Sequence, residues 1–434
     1  MYAALFVMAL VPRALYLLLA RPAVENYQWE LATSLLTDGS LSVDGVKTTA
    51  FEPLYPLFLA ASRLLVGDHI ALVRLIQCGV GAIGAVLLYR LTTALTGRSR
   101  AGIIAASLYA GYPLLIRYAV DLSDTTLTAV LLVAFAGAFL TADTARRSVE
   151  AGVWLGLVML TRTMTLPLVF LGAAIQWRDR GWRPAAAFAA TALVVVAPYA
   201  VRNHGLNGAL LPTRSGLNLF ISNCDYTAAI LPHYGPDILV SYAASVLDRD
   251  GGISGPPSPA RERAEDDAYT RLAFAHMAAD PLGTLELKLR NIWYFFSPTL
   301  TPSRDPTAGP VFHLDAQGQF TIENTRPRPA VDRIAYTASY VPVAALALAG
   351  VWIRRRDVRA AAILGSVAAT FALAHAVYFP TTRYRAPIDF VLLLYAAVTL
   401  DGLSPSTTIG WAFGRRPRSN VTSVSRPTAA NAAK

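Results

Sequence analysis

Carboxylates recur where the apolar segments of this chain end. Glu25 and Glu30 follow the first segment, Glu52 heads Glu52-Pro53-Leu54-Tyr55-Pro56, and Asp121 and Asp124 lie between the third and fourth. A carboxylate partly desolvated beside low-dielectric walls gains proton affinity and can take a proton from a hydroxyl as a general base. Asp124, directly before Thr125-Thr126-Leu127, fits a helix N-cap equally well, and Glu30 fits the solvated face of a short helix. Opposite in charge, Arg383 and Arg385 stand in Tyr378-Phe379-Pro380-Thr381-Thr382-Arg383-Tyr384-Arg385-Ala386-Pro387, interleaved with aromatics. Guanidinium forks meet a phosphate bidentately; they also snorkel to ordinary phospholipid headgroups. Arg117 and Arg202 stand at further segment ends.

The six histidines are scattered, with no HxxxH or HExxH pair. A divalent ion shared by Asp121, Asp124 and His204 is the one arrangement left open, and the expectation is no metal and no cofactor. A Walker loop, a dinucleotide fingerprint after a strand and a nucleophile elbow are all missing, so cytosolic nucleotide chemistry is unsupported.

Membrane helices must position these groups. Arginine clusters at Arg90/Arg98/Arg100, Arg146/Arg147, Arg178/Arg180/Arg183 and Arg354/Arg355/Arg356/Arg359 occupy every second gap between apolar segments, which makes those gaps cytoplasmic. The segments 2–20, 69–91, 101–119, 124–141, 184–200, 336–353, 360–380 and 387–402 are long and nearly uncharged. A further stretch, 151–176, is broken at Thr161-Arg162-Thr163 and reads as two short helices that dip in and return. The spacing thus predicts about ten membrane helices, with both termini cytoplasmic. Arg13, inside the first, must face protein or a cavity.

Composition agrees. With 54% hydrophobic and 15% charged residues over 434 positions, the chain is neither a soluble domain nor a single anchor. Its net charge of +10 lies in short loops and a tail, 404–434, read as disordered, basic and cytoplasmic. Membrane lipid headgroups are therefore the expected partners, not nucleic acid. Cys78 falls in a helix and Cys224 in a loop, so no disulfide is expected.

Two connections on the non-cytoplasmic side are too long to be simple links. In 21–68, apolar residues recur at helical spacing over Tyr27 to Leu35 and Leu54 to Leu65, predicting short interfacial helices, with turns at Asp38-Gly39 and Asp44-Gly45 between them. In 202–333, a flexible Gly/Pro/Ser stretch at 251–259 precedes helices over 261–277 and 282–296, giving a small surface domain.

In order, Ala32-Thr33-Ser34-Leu35-Leu36 with Asp38-Gly39, the Glu52-Pro53-Leu54-Tyr55-Pro56-Leu57-Phe58-Leu59-Ala60 helix, Leu160-Thr161-Arg162, Pro198-Tyr199-Ala200-Val201-Arg202-Asn203 and Gly216-Leu217-Asn218-Leu219 resemble polyprenyl-phosphate-sugar-dependent glycosyltransferases of the GT-C class. These are bacterial relatives of dolichyl-phosphate-mannose protein mannosyltransferases and of the aminoarabinose lipid A transferase. The resemblance covers about 10 to 400 and implies an all-α polytopic membrane fold, one domain over 1–400. It also implies an inverting single displacement at the extracytoplasmic face of a bacterial inner membrane. A polyprenyl-phosphate sugar is then the donor, and a lipid, a glycan or a protein the acceptor.

The family's Asp-Glu-like pair before the first interfacial helix is reduced here to Val24-Glu25, so Glu25 is the matching catalytic carboxylate, with Glu52 and Asp124 able to share the role. Phe51 replaces a basic residue that the family often carries, which shifts donor-phosphate binding to Arg383 and Arg385 with Arg202. Tyr55, Asp121 and Asn218 complete the implied substrate-binding set. The alternative reading is a transporter or flippase of lipid-linked sugars, although paired repeats with charges near the midplane, common in transporters, are not evident.

Overall fold

The computed structural model describes residues 1–20, 26–142, 144–250, 252–253, 255–315 and 317–403. The candidate base Glu25 and the 404–434 tail lie outside the described residues. The chain begins with α1 (Tyr2–Leu19); α2 (Tyr27–Asp38), the hairpin β1 (Ser42–Val43) and β2 (Val46–Lys47), and α3 (Leu54–Val66) form the first long connection. A helical run follows: α4 (Ile70–Thr96), α5 (Ser99–Gly111), α6 (Pro113–Tyr118), α7 (Thr125–Thr141), α8 (Ala145–Met159), α9 (Pro167–Arg180) and α10 (Trp182–Asn207). The second connection holds α11 (Ser215–Ile221), α12 (Thr227–Ile230), α13 (Val240–Asp250), α14 (Pro259–Ala279), α15 (Pro281–Phe295) and the antiparallel pair β3 (Arg304–Leu314) and β4 (Phe320–Pro327). The chain closes with α16 (Ala330–Ile353), α17 (Val358–Val377), α18 (Thr382–Arg385) and α19 (Asp389–Gly402).

Among the described residues, α1, α4, α10, α16 and α17 are long and apolar enough to cross a membrane. The other expected spans are shorter helices in the same bundle. The apolar run 101–119 is split at Tyr112 into α5 and α6 because Pro113 lacks the N–H that would bond the Tyr109 carbonyl. Arg13 answers that break. Wholly buried, it donates from Nη2 to Tyr109 O at 3.3 Å, and from Nη1 to Ala110 O at 3.3 Å and Ala9 O at 2.8 Å. A cation inside the first span is thereby accounted for by carbonyls that a helix break leaves bare.

The break at Thr161 to Thr163 falls where the sequence places it. The backbone groups it frees are satisfied locally, by Thr161 Oγ1 to Val158 O (2.7 Å) and Thr165 Oγ1 to Arg162 O (2.8 Å), and remotely, by Leu54 N to Leu160 O (3.0 Å). Helices approach closely where side chains vanish: a Cβ on Gly156 of α8 would meet Ala192 O of α10 at 2.9 Å, as expected for small residues between membrane helices. At the arginine-rich end, basic side chains cap helix ends, Arg354 to Leu95 O (2.8 Å) and Arg359 to Phe139 O (2.9 Å), while Arg98 pairs with Asp401 at 2.9 Å.

The first connection matches its sequence reading. Asn26 caps α2 through Oδ1 to Gln28 N and Trp29 N, and Asp44 and Gly45, at φ of 50° and 74°, make the β1–β2 turn. Glu30 lies on a partly exposed face of α2, its Oε1 accepting from Asp44 N at 2.7 Å. The second connection departs from the all-α expectation, because β3 and β4 pair in a hairpin with a register shift between Pro306 and Val311. Both cysteines are free and buried. Replacing Arg13 by Met strips hydrogen bonds from three carbonyls, at about 1–3 kcal/mol for each group left unsatisfied, and the expected result is a lower melting temperature of the purified protein in thermal unfolding.

Candidate active site

A cavity of about 490 Å³ opens where α3, the α8–α9 break, the α11 region and the α17–α18 turn converge. Its walls combine Glu52, Asp124, Arg162, Arg214 and Arg383 with Tyr27, Phe51, Tyr55, Asn218, Tyr378 and Tyr384. Nearly all these residues sit in connections or at helix ends, which is why a polar pocket can exist at the end of an apolar bundle.

Asp124 stands at its charged centre. The N-cap expectation fails, for Asp124 precedes α7 but makes no side-chain cap bond. Its carboxylate instead takes Arg162 through Nε (2.6 Å) and Nη2 (3.2 Å), with Arg383 Nη2 at 3.6 Å. A bidentate guanidinium pair outcompetes a single cap bond in a partly dehydrated site. One anion thus holds two cations.

Glu52 has the opposite environment. Its Oε1 accepts the Thr163 backbone N–H at 3.1 Å, and among the described residues no salt bridge to it is found. Burial pushes the Glu52 carboxyl above its ordinary value, only partly offset by that N–H. Of the three carboxylates that line the cavity, Glu52, Asp124 and Asp237, one is clamped by arginine and another, Glu52, is avid for protons, a contrast that separates electrostatic and acid–base roles.

Other expected residues divide. Tyr55 lines the cavity and donates its hydroxyl to Gln77 Oε1 at 2.8 Å; Gln77 Nε2 then donates to Ala119 O (3.0 Å) and Asp121 O (2.7 Å), fixing the turn that leads to Asp124. Asn218 also lines the cavity. Asp121 does not; its carboxyl is raised by burial against the opposing pull of Arg117, Arg383, Arg74 and Arg328. Arg385 is corrected: with no exposed side-chain area, it binds Asp389 at 2.9 Å, lies 3.8 Å from the Tyr340 ring centre and is not a wall residue. The helical phase separates it from Arg383, two residues earlier, which does reach the cavity. Arg202 is corrected as well, since it donates to Thr48 O (3.0 Å), Leu41 O (3.3 Å) and Asn203 Oδ1 (2.9 Å), pinning the first connection outside the cavity wall. Among the described residues no group of three or more His, Cys, Asp or Glu is gathered to hold a metal, the trio Asp121, Asp124 and His204 included.

Three residues escaped the sequence reading as site residues. Arg162 was visible as an arginine interrupting an apolar run and as part of the Leu160-Thr161-Arg162 motif, with no role assigned to it. Arg214 follows Thr213 in a loop without a pattern, yet it lies 5.0 Å from the Phe51 ring centre, and Phe51 stacks on Tyr27 at 4.7 Å. Glu262 of α14 joins the two connections, accepting from Thr49 N (2.9 Å), Thr49 Oγ1 (2.5 Å), Thr48 Oγ1 (2.6 Å) and Thr213 Oγ1. Thr49 precedes Glu52 by three residues and Thr213 adjoins Arg214, so Glu262 sets the spacing across the cavity mouth.

With this geometry in hand, comparisons with known proteins are informative. The model of the dolichyl-phosphate-mannose-protein mannosyltransferase family matches residues 49–201, a span that holds Glu52, Asp124 and Arg162. No curated protein sequence matches. The fold is similar to archaeal oligosaccharyltransferase AglB from Archaeoglobus fulgidus in complex with an inhibitory peptide and a dolichol-phosphate, at a TM-score of 0.50 and 15% identity, over 96% of this chain and 52% of that one. The apo form of the Archaeoglobus fulgidus oligosaccharyltransferase gives 0.50 and 16%, over 96% and 52%. ArnT from Cupriavidus metallidurans bound to undecaprenyl phosphate is a looser neighbour, at 0.41 and 17%, over 92% and 77%. The chain spans about half the length of the oligosaccharyltransferase whose fold it shares. It therefore resembles GT-C glycosyltransferases, in sequence over one third of its length and in fold over nearly all of it.

Glu262→Ala, which removes all four hydrogen bonds to Thr48, Thr49 and Thr213, is expected to lower the activity proposed below about ten-fold or more, while Glu262→Gln recovers part of it. The check is rate measurement on purified variants with equal yields in the membrane fraction.

Proposed function

We propose that this protein is a membrane glycosyltransferase that moves a sugar from a polyprenyl-phosphate donor to a hydroxyl of a lipid, polysaccharide or protein acceptor. The observation that carries the reading is the cavity in which Arg162 and Arg383 share Asp124 beside Glu52, which accepts a backbone N–H but forms no ion pair among the described residues. The acceptor oxygen attacks the anomeric carbon, the bond from that carbon to the phosphate oxygen breaks, and polyprenyl phosphate leaves with the electron pair. Inversion follows from a single displacement. The acceptor proton passes to a carboxylate, and Glu52, with its raised proton affinity, is the base among the described residues; Glu25, two residues before the cavity residue Tyr27, is the alternative drawn from the family pattern. Arg162, Arg383 and Arg214 stabilise the charge that grows on the leaving phosphate. Asp124 holds two of these guanidinium groups in place.

In this reading the arginine-rich end of the bundle and both termini are cytoplasmic, supported by the positive-inside rule. The cavity then faces the extracytoplasmic side of a bacterial inner membrane. Lipid partners suit a basic chain of this kind. The flippase alternative draws no comparable support, since the charged groups of the cavity gather at one end of the bundle.

The decisive experiment restores a deletion strain with variants and profiles its envelope lipids and glycans. Wild type is expected to restore the missing sugar and Glu52→Gln to fail with normal membrane insertion; if Glu52→Gln restores it and Glu25→Gln fails, the base is Glu25, and restoration by both removes this mechanism. Arg383→Ala is expected to raise the KM for donor about ten-fold or more, one charge-assisted phosphate contact. Because the base must be ionised and the Glu52 carboxyl is raised, the rate should fall on acidification with a midpoint above the ordinary carboxylate range. A pH–rate profile on purified enzyme that is flat there contradicts Glu52 as base.

A further inference from the structure

α15 turns its apolar residues outward. Leu287, Asn291 and Phe295 are buried, whereas Leu282, Leu285, Leu289, Trp293 and Phe296 are exposed, Leu282 and Trp293 at 80% and 67%. Steps of three, four, four and three residues align these five on one stripe, diametrically opposite the buried face. Glu286 alone, at the edge of the stripe, is exposed and charged. In water such a continuous apolar face is unfavourable and marks a binding surface.

The buried face shows where the stripe lies. Asn291 Nδ2 donates to Ala376 O at 3.0 Å and Tyr378 O at 3.3 Å, and Lys288 Nζ donates to Val377 O at 3.1 Å. These carbonyls close α17, one of the five helices long and apolar enough to cross a membrane. Leu373 and Val377, in the last turns of α17, are exposed as well, so the apolar surface of the crossing helix continues onto α15. Asn291 and Lys288 thus seat α15 against the C-terminal end of α17, and its exposed face carries Trp293, a residue enriched where hydrocarbon meets headgroups.

From this continuity we infer that the Leu282–Phe296 stripe is immersed in the lipid leaflet next to the cavity, with acyl chains as its occupant. The rest of the second connection is thereby anchored over the bundle. Tyr378, whose carbonyl Asn291 holds, lines the cavity, so the lipid seat of α15 fixes one wall of it.

The test uses the full chain in phosphatidylcholine/phosphatidylglycerol vesicles, with a nitroxide on a single introduced cysteine. The native Cys78 and Cys224 are buried. Leu285→Cys and Leu289→Cys probe the stripe, Leu373→Cys on α17 is the lipid reference, and Arg271→Cys, exposed on α14, is the aqueous reference. Collisions with oxygen are expected to exceed those with a water-soluble nickel chelate several-fold at 285 and 289, as at 373, with the order reversed at 271. Nickel access at 285 and 289 equal to that at 271 overturns the inference. So does shielding from both reagents, which identifies a protein surface, such as a second copy of the chain, as the occupant.

Discussion

The ion pair between Asp124 and Arg162, at 2.6 Å, is the contact on which the rest of the site depends. Each partner alone at the end of an apolar bundle carries a desolvation cost of several kcal/mol, so neither is tolerable without the other. Arg162 reaches Asp124 only because the apolar run 151–176 breaks. The break is stable because its bare backbone groups find partners: the Thr161 and Thr165 hydroxyls, Leu54 N and the Glu52 carboxylate. The same break therefore places a cation, seats α3 and orients the second carboxylate.

A second constraint is the joining of two connections that are distant in sequence. Glu262 bonds to Thr48, Thr49 and Thr213, and Tyr199 donates to Phe51 O at 2.8 Å. The first contact brings the segment before Glu52 against the second connection, and the second brings it against α10. A cavity built this way holds its walls at fixed separation without a covalent link, and Phe51, stacked on Tyr27 and approached by Arg214, forms part of its wall. In the proposed transfer, such preorganised charge is what stabilises the departing phosphate.

Much of the fold was legible in one dimension. Apolar length and arginine placement gave the helices, and the Asp44-Gly45 turn and the helices around it fell at their expected positions. The β3–β4 hairpin was not legible, because its pairing is a cross-strand contact interrupted by a bulge rather than a periodic pattern. In the site, Glu52, Asp124, Tyr55, Asn218 and Arg383 line the cavity, whereas Arg385 and Arg202 turn away from it. Arg383 and Arg385 share composition, neighbours and charge; only their angular position on one turn of helix differs.

The sequence by itself determined the membrane character of the chain, the position of the helix break and the set of polar groups available near the ends of the helices. These follow from local hydropathy and from backbone groups that a break must satisfy. Which arginine meets which carboxylate, which carboxylate is left without a cation, and which glutamate ties the connections together were decided only in three dimensions. Those pairings join residues tens to hundreds of positions apart, and packing alone brings them within hydrogen-bond reach.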